Sequence, residues 1–438
     1  LFLLSPGVDQ RTLMKIGIQT WGSEGDVRPF FALAGGLSAA GHDVTLAVTE
    51  IPNRRFARPS EQTGFAIRQV GHIALDKAKL KQLAADAFKE WNPIKKGDIL
   101  INHFLNPVVE DMFAAGLRLC KVNELVIGHF FVYPLKVAAR RLRRPFVMMF
   151  TAPLLPSRHH PPVGLPSLGP WGNPLSWKLF EYVLQRHWKP SIDRFYLREG
   201  LKPEKSLLQG VFHSPHLNLV AVSPRLFPPP PDWANRYHLC GYMNAAVAED
   251  SWRMSPGLED FLSTGDPPVY MTFGSMIGSD PSPGEITLLL IEAARLARCR
   301  AIIQSNWEDL NGLPESPHIF RITRAPHARI FPRCAAVVHH GGTGTTQAAT
   351  LAGCPSVVVE HAADQPLWGS ILKRKGIAPK VLHRRSLSAA KLAGGIRTVL
   401  DSPRMAASAR AVGAGMRRED GVARAVALIE ACREGALQ

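Results

Sequence analysis

Much of what would identify a chain quickly is missing from these 438 residues. The six cysteines (Cys120, Cys240, Cys299, Cys334, Cys354 and Cys432) form no C-x-x-C pair, which argues against a zinc framework and a disulfide scaffold and fits a reducing cytoplasm. The opening Leu1 to Leu13 carries no basic segment and no apolar run of about 15–20 residues, so neither a secretory signal nor a membrane span is indicated. The first methionine, Met14, stands directly before a clean strand. No zinc-finger, RNP or basic-zipper pattern accompanies the basic charge, which speaks against nucleic acid. Neither glycine-rich loop has the G-x-G-x-x-G spacing of a dinucleotide oxidoreductase. There is no short-period repeat, and the one low-complexity piece is a run of four prolines.

What is present describes an ordinary globular protein: 46% hydrophobic and 20% charged residues, too long for one usual core and so expected to form two domains. Lysine and arginine outnumber aspartate and glutamate by 52 to 36, a net charge of +16 spread over separate clusters such as Arg140-Arg141, Lys373-Arg374-Lys375 and Arg417-Arg418. Such an excess suits a phosphorylated small molecule or an anionic lipid surface, and equally a solvated arginine-rich surface. Peripheral contact with a membrane is therefore left open.

Strands are expected at Lys15 to Gln19, Asp43 to Val48, Leu125 to Ile127, Phe146 to Phe150 and Leu217 to Val222, with helical patterns between them. Thr20 to Arg28 reads as a glycine-punctuated loop, with Pro29 opening a helix that Gly41 caps. Phe227 to Trp233 contains Pro228 to Pro231, which excludes a helix interior or a central strand, so residues 227–236 read as a linker. Beyond it, Val269 to Phe273, a helix near Glu285 to Ala297, Ala301 to Gln304, Ala335 to Val338 and Ser356 to Val359 repeat the alternation. The pattern implies an α/β protein: two Rossmann-like, doubly wound domains facing each other across a cleft, residues 14–226 and 237–420, with a last helix in 421–438. Residues 151–190 are rich in proline and tryptophan and read as an apolar loop. His159-His160 within it has no carboxylate or cysteine at ligand spacing, so no metal site is expected there.

In open α/β sheets ligands bind beyond the carboxyl ends of the strands. One such loop is "HHGGTGTT", residues 339–346, placed between a buried strand and a helix that stops at Gly353 with Pro355 beyond. A helix start with Gly342 and Gly344 lets an anion approach unpaired backbone N–H groups; Thr343, Thr345 and Thr346 add hydroxyls and His340 a further hydrogen bond. The same residues also suit a plain glycine turn with capping threonines and a core histidine. A second loop, "GSEGD", holds Glu24 and Asp26; Asp26 serves either as a helix-start acid or as a general base. A third, "EHAADQP", places Asp364 beside Gln365, a carboxylate and an amide that match paired sugar hydroxyls.

"HHGGTGTT" followed by "LAGCPSVVVEHAADQPLWG" resembles the donor-binding signature of the UDP-glycosyltransferase superfamily, glycosyltransferase family 1, with its GT-B fold. "GSEGDVRPF" resembles the amino-terminal, acceptor-side loop of that family. Asp-Gln-Pro with Trp368-Gly369 and "GIAPKVL" is most similar to the branch of sterol glucosyltransferases and bacterial relatives acting on macrocycles, glycopeptides or lipids. The resemblance implies that His340 and Gly342, Thr343, Gly344, Thr345 and Thr346 hold the donor diphosphate, with Ser275 reaching the same phosphates. Ala325-Pro326-His327 would lie along the base, with Trp307 at its border, and Asp364 and Gln365 would hold the sugar. Asp26 falls where plant relatives have a catalytic histidine and the sterol branch an aspartate, which makes it the expected base. Glu24 replaces a common arginine and is a candidate second carboxylate. Ala348 stands where plant enzymes carry a ribose-binding glutamate.

These residues imply an inverting, metal-independent transfer with no cofactor: the helix start and His340 take the role of a metal, and the chain has no Asp-x-Asp pair. The expected partners are a nucleotide sugar and a lipophilic acceptor. UDP-glucose and a sterol or terpenoid lead, and a polyketide, macrolide or lipid alcohol with a UDP- or dTDP-sugar is the alternative. A non-catalytic GT-B nucleotide-binding protein is the reading from another class.

Overall fold

A computed structural model describes residues 13–50, 63–71, 92–233, 235–244, 252–273, 283–305, 316–323, 325–361 and 364–433, with single positions between 73 and 90. The first half contains strands β1 (Lys15–Gly22), β2 (Asp43–Glu50), β3 (Ala66–Gln69), β4 (Leu125–His129), β5 (Phe146–Phe150), β6 (Leu217–Val220) and β7 (His238–Leu239). Its helices are α1 (Glu24–Ala39), α2 (Pro93–Leu100), α3 (Val109–Val122), α4 (Tyr133–Arg141) and α5 (Gly169–Arg198). The second half contains β8 (Val269–Thr272), β9 (Ala301–Gln304), β10 (Ile319–Ile322), β11 (Ala336–His339), β12 (Ser356–Glu360) and β13 (Leu382–His383). Its helices are α6 (Pro256–Ser263), α7 (Pro283–Ala297), α8 (His327–Ile330), α9 (Thr343–Leu351), α10 (Gln365–Arg374), α11 (Ala389–Leu400), α12 (Pro403–Met416) and α13 (Gly421–Arg433).

The strands form two parallel sheets with one topology used twice. The first runs β3-β2-β1-β4-β5-β6-β7 and the second β10-β9-β8-β11-β12-β13. Both change direction between the first strand and the fourth, at β1/β4 and at β8/β11, where β1 pairs Ile16 with Leu125 and β11 pairs Val337 with Tyr270. At such a switch point the two following loops run apart and leave a crevice beyond the strand ends. The start of α1 after β1 and the loops after β4 and β11 carry Asp26, Phe130 and His340, so the topology alone gathers these residues toward one cleft. Buried apolar side chains on both faces of β1, β4 and β5 explain why these strands read as continuous hydrophobic runs.

Four details differ from the sequence expectations. Helix α1 begins at Glu24, not at Pro29: Ser23 and Asp26 form a reciprocal capping box, so the turn closes earlier and Pro29 sits inside the helix. Residues 169–190 of the expected apolar loop 151–190 belong to the 30-residue helix α5 despite Pro174 and Pro190. Its buried face, with Trp177, Leu184, Ile192, Phe195 and Tyr196 at helical spacing, outweighs the two missing donors. The proline run does not end the first sheet, because β7 still pairs with β6 and the chain crosses to the second sheet only after Leu239. The edge strands β3, β10 and β13 are of two to four residues, too short for period-2 alternation to reveal them.

The halves are tied at several points. Helix α13 returns to the first half, where Val422 and Val426 pack against Gly36 of α1 so closely that a Cβ there would lie 2.1 Å from Val422 Cγ1. Gln347 of α9, fully buried, accepts from the Ser223 N–H at 2.8 Å and donates to the Ala221 carbonyl at 3.3 Å. Tyr242 donates its hydroxyl to the Gly344 carbonyl at 3.3 Å. Among the described residues no helix is long and apolar enough to cross a membrane.

Candidate active site

Asp26 is the third residue of α1. Its Oδ2 accepts from both the backbone N–H and the hydroxyl of Ser23, each at 2.9 Å. Gly22, with φ +129°, makes this possible: a Cβ there would stand 2.5 Å from Asp26 Oδ2. The other oxygen, Oδ1, meets the Thr151 hydroxyl at 3.4 Å and lies 3.8 Å from His129 Nε2. The carboxyl sits deep in the cleft with a third of its side-chain surface (34%) still open to it. Burial dominates over the hydrogen bonds from Ser23 and Thr151 and raises its pKa above the usual aspartate value. His129 is buried and its pKa is pushed down to about 3, so it stands neutral beside the carboxylate and adds no countercharge. Next to this pair lies an aromatic wall: Phe130 and Phe131 are 4.2 Å apart, and Phe131 meets Trp21 at 5.5 Å and Phe212 at 6.2 Å.

The opposite wall is the start of α9. Gly342 is its N-cap and supplies no side chain, which leaves the first backbone N–H groups without a side-chain partner. Among the described residues no atom outside the helix itself comes within 4 Å of where a Gly344 Cβ would be. The His340 ring covers Gly342, its Nε2 2.4 Å from where a Cβ would sit, and its buried Nδ1 has no hydrogen-bond partner. Burial lowers its pKa to about 4, which favours the neutral imidazole, whereas an anion in the cleft would favour the charged form.

Asp364, at the N-cap of α10, accepts from the Thr343 hydroxyl at 2.5 Å and from Trp368 Nε1 at 2.9 Å. The Thr343 hydroxyl is thus engaged in orienting Asp364. Thr346 is fully buried with an unpartnered hydroxyl. Gln365 is also buried, its Oε1 accepting from the His361 N–H at 2.6 Å, so its amide braces the loop. The pKa of Asp364 is raised by burial and, in smaller part, by the negative charge of Asp26. That coupling brings the two carboxylates within electrostatic reach of each other across the cleft. A second coupling crosses it as well: the field of Arg28 and Glu24 reaches His327.

Of the residues singled out in the sequence, Asp26, His340, the α9 start, Asp364 and Gln365 come together here. Glu24 is turned to Arg28, 3.4 Å away, and does not join Asp26. His327 stacks on Phe331 at 4.3 Å, following the buried Ala325 and Pro326. Ser275 and Trp307 lie outside the described residues. Sequence reasoning missed His129 and Thr151. Both stand at carboxyl ends of strands, β4 and β5, and the strand-end rule applied to every strand would have flagged them. A cavity of about 400 Å³ lies elsewhere, between His160, the proline run and Leu367, Ile371 and Arg374. It contains no carboxylate, and Asp26 and Asp364 do not line it.

Residues 279–427 match the family model of the erythromycin biosynthesis protein CIII-like C-terminal domain. Over 433 residues the chain is 33% identical to O-mycaminosyltylonolide 6-deoxyallosyltransferase of Streptomyces fradiae, covering 95% of this chain and 97% of that one. The chain belongs to the nucleotide-sugar glycosyltransferases of the GT-B fold. It is also 28% identical over 443 residues to a sterol 3-beta-glucosyltransferase of Cryptococcus neoformans var. neoformans serotype D, covering 95% of this chain but 27% of the fungal protein. In structure it is similar to the glycotransferase of kitacinnamycin, with a TM-score of 0.67 at 17% identity over 96% of this chain and 99% of that one. This glycosyltransferase is therefore related to natural-product and sterol enzymes alike, and the sterol branch is not singled out.

Proposed function

We propose that this glycosyltransferase is an inverting enzyme that moves a hexose to a hydroxyl of a bulky polyketide- or macrolide-like alcohol, with Asp26 as general base. The observation that carries the reading is the facing of Asp26, with its raised pKa, and Asp364 across a cleft closed on one side by the bare start of α9. The acceptor hydroxyl gives its proton to Asp26 Oδ1, the oxygen with the weaker hydrogen bond, while the oxygen attacks the anomeric carbon from the face opposite the diphosphate. Ser23 and Thr151 hold the carboxylate at one angle. The first N–H groups of α9 and the His340 imidazole receive the charge that grows on the leaving phosphate, and donors of this kind are worth about a hundredfold or more each in rate. Asp364, fixed by Thr343 and Trp368, accepts from sugar hydroxyls. By the family resemblance alone, Ala325, Pro326, His327 and Trp307 would border the base and Ser275 would reach the phosphates.

The macrolide alternative now leads over the sterol one, because the relative at 33% identity bears a macrolide-type name and matches end to end. Phe130 and Phe131, half-buried at the end of β4 and backed by the buried Trp21 and Phe212, support an acceptor with a large apolar face. A sterol remains the second reading, supported by the fungal relative's name. Incubation with UDP- and dTDP-hexoses against a macrolide aglycone and a sterol, with mass detection of the glycoside, tests both. A macrolide glycoside is expected; a sterol glycoside alone would reverse the order. Nucleotide binding without release of nucleoside diphosphate in the presence of any acceptor would favour the non-catalytic reading instead.

A further inference from the structure

Helix α5 presents an apolar stripe that nothing among the described residues covers. Leu168 at its N-cap, then Trp171, Leu175, Leu179 and Tyr182 follow one another at steps of three, four, four and three residues, which keeps them on one narrow face. Trp171 is 90% exposed, Leu175 69%, and the other three about 60% each. Leu165, just ahead of the helix, is exposed as well. Isolated exposed leucines are commonplace, but an aligned row of this size marks a binding surface.

The charges around the stripe select its partner. Lys178 lies within it and Arg186 one turn beyond Tyr182, both exposed, and among the described residues neither makes an ion pair. The acidic groups of the helix are turned away or neutralised: Glu181 accepts from the Ser206 hydroxyl and the Leu208 N–H, and Asp193 pairs with Lys189 at 2.5 Å. The exposed face is thus apolar and basic with no free carboxylate, on a chain of net charge +16. Trp and Tyr are the side chains that favour the boundary between hydrocarbon and water, and basic residues beside them meet anionic headgroups. With charges along its other faces, the helix suits lying in a bilayer surface.

We infer that α5 docks the enzyme on the surface of an anionic lipid bilayer, with Trp171, Leu175 and Leu179 inserted among the acyl chains and Lys178 and Arg186 at the phosphates. The inference rests on this surface alone and stands or falls independently of the acceptor. Its test is sedimentation of the full chain with vesicles of phosphatidylglycerol and phosphatidylcholine, or of phosphatidylcholine only. The wild type is expected to pellet with the anionic vesicles, less so at high salt, and weakly with the neutral ones. The triple variant Trp171→Glu, Leu175→Glu, Leu179→Glu should lose at least about tenfold in partitioning while keeping its nucleotide affinity. Should that variant fold poorly, Lys178→Glu with Arg186→Glu gives a second reading through reduced anionic partitioning. The tryptophan emission that Trp171→Phe removes gives a third, by shifting to the blue on vesicles. Equal partitioning of wild type and variants, or no partitioning of the wild type, overturns the inference. So does a wild-type dimer by light scattering that the triple variant turns into a monomer without any vesicle binding, since a second copy would then be the occupant.

Discussion

At the scale of single residues, Ser23 and Asp26 satisfy each other's backbone and side-chain donors, and in doing so they hold a carboxylate where burial opposes its charge. Asp26→Asn is expected to lower turnover by about 10²–10⁴-fold, the usual contribution of a general base, with nucleotide affinity nearly unchanged. The wild-type rate should fall on acidification at a pH above the ordinary carboxylate range, because the base works only when deprotonated and its pKa is raised. Stability runs the other way. A carboxyl whose pKa is higher folded than unfolded favours folding below its unfolded pKa, and that contribution is lost as the pH rises through the folded one. Asp26→Asn should therefore melt higher than wild type at neutral pH, with the gap closing below the ordinary aspartate range; a constant gap in a thermal melt series would contradict the raised pKa. Gly22→Ala probes the same geometry from behind, since the added Cβ would crowd Asp26 Oδ2 at 2.5 Å. Turnover is expected to drop by about a hundredfold while the donor KM holds. Asp26 was legible in the sequence as an acid at a helix start. His129 and Thr151 were not, because nothing local distinguishes a buried strand-end histidine from a core one, and only the strand-end rule applied to every strand points to them.

Among the elements, α9 is the proposed donor side through its geometry: a glycine cap, open space at Gly344 among the described residues and an imidazole laid over the first turn. Burial keeps His340 neutral near neutral pH, so a diphosphate that raises its pKa is taken up together with a proton. Calorimetric titration with nucleoside diphosphate near about pH 6 in buffers of different ionisation enthalpy should reveal proton uptake that His340→Asn removes. A binding enthalpy independent of buffer would mean that the histidine stays neutral. The glycine turn and its helix were readable because Gly342, Gly353 and Pro355 mark both ends. Helix α5 was not, since Pro174, Pro190 and three tryptophans look like loop composition, and only the packing of Trp177, Leu184 and Tyr196 on the first half decides the matter. Helix α1 began early for a similarly local reason, the capping box ahead of Pro29.

For the whole molecule, two sheets of the same strand order present their switch points to each other, and the cleft between them is held by a few buried polar contacts. Gln347 is the clearest: its replacement by leucine would strand the Ser223 N–H and the Ala221 carbonyl. Each unsatisfied group is worth about 1–3 kcal/mol, so the denaturation midpoint should fall clearly, and an unchanged midpoint would argue that water replaces the amide. Alternating strands and helices made the paired α/β architecture legible, while the return of α13 onto α1 and the late crossing after Leu239 depend on contacts that no local pattern encodes. The most direct test of the central claim is a crystal structure of Asp26→Asn soaked with a nucleotide sugar. The diphosphate should lie within hydrogen-bond distance of the backbone N–H groups that open α9 and of His340, with the sugar between residue 26 and Asp364. Phosphates bound away from the start of α9, or a sugar that leaves position 26 out of reach of its anomeric carbon, would contradict it.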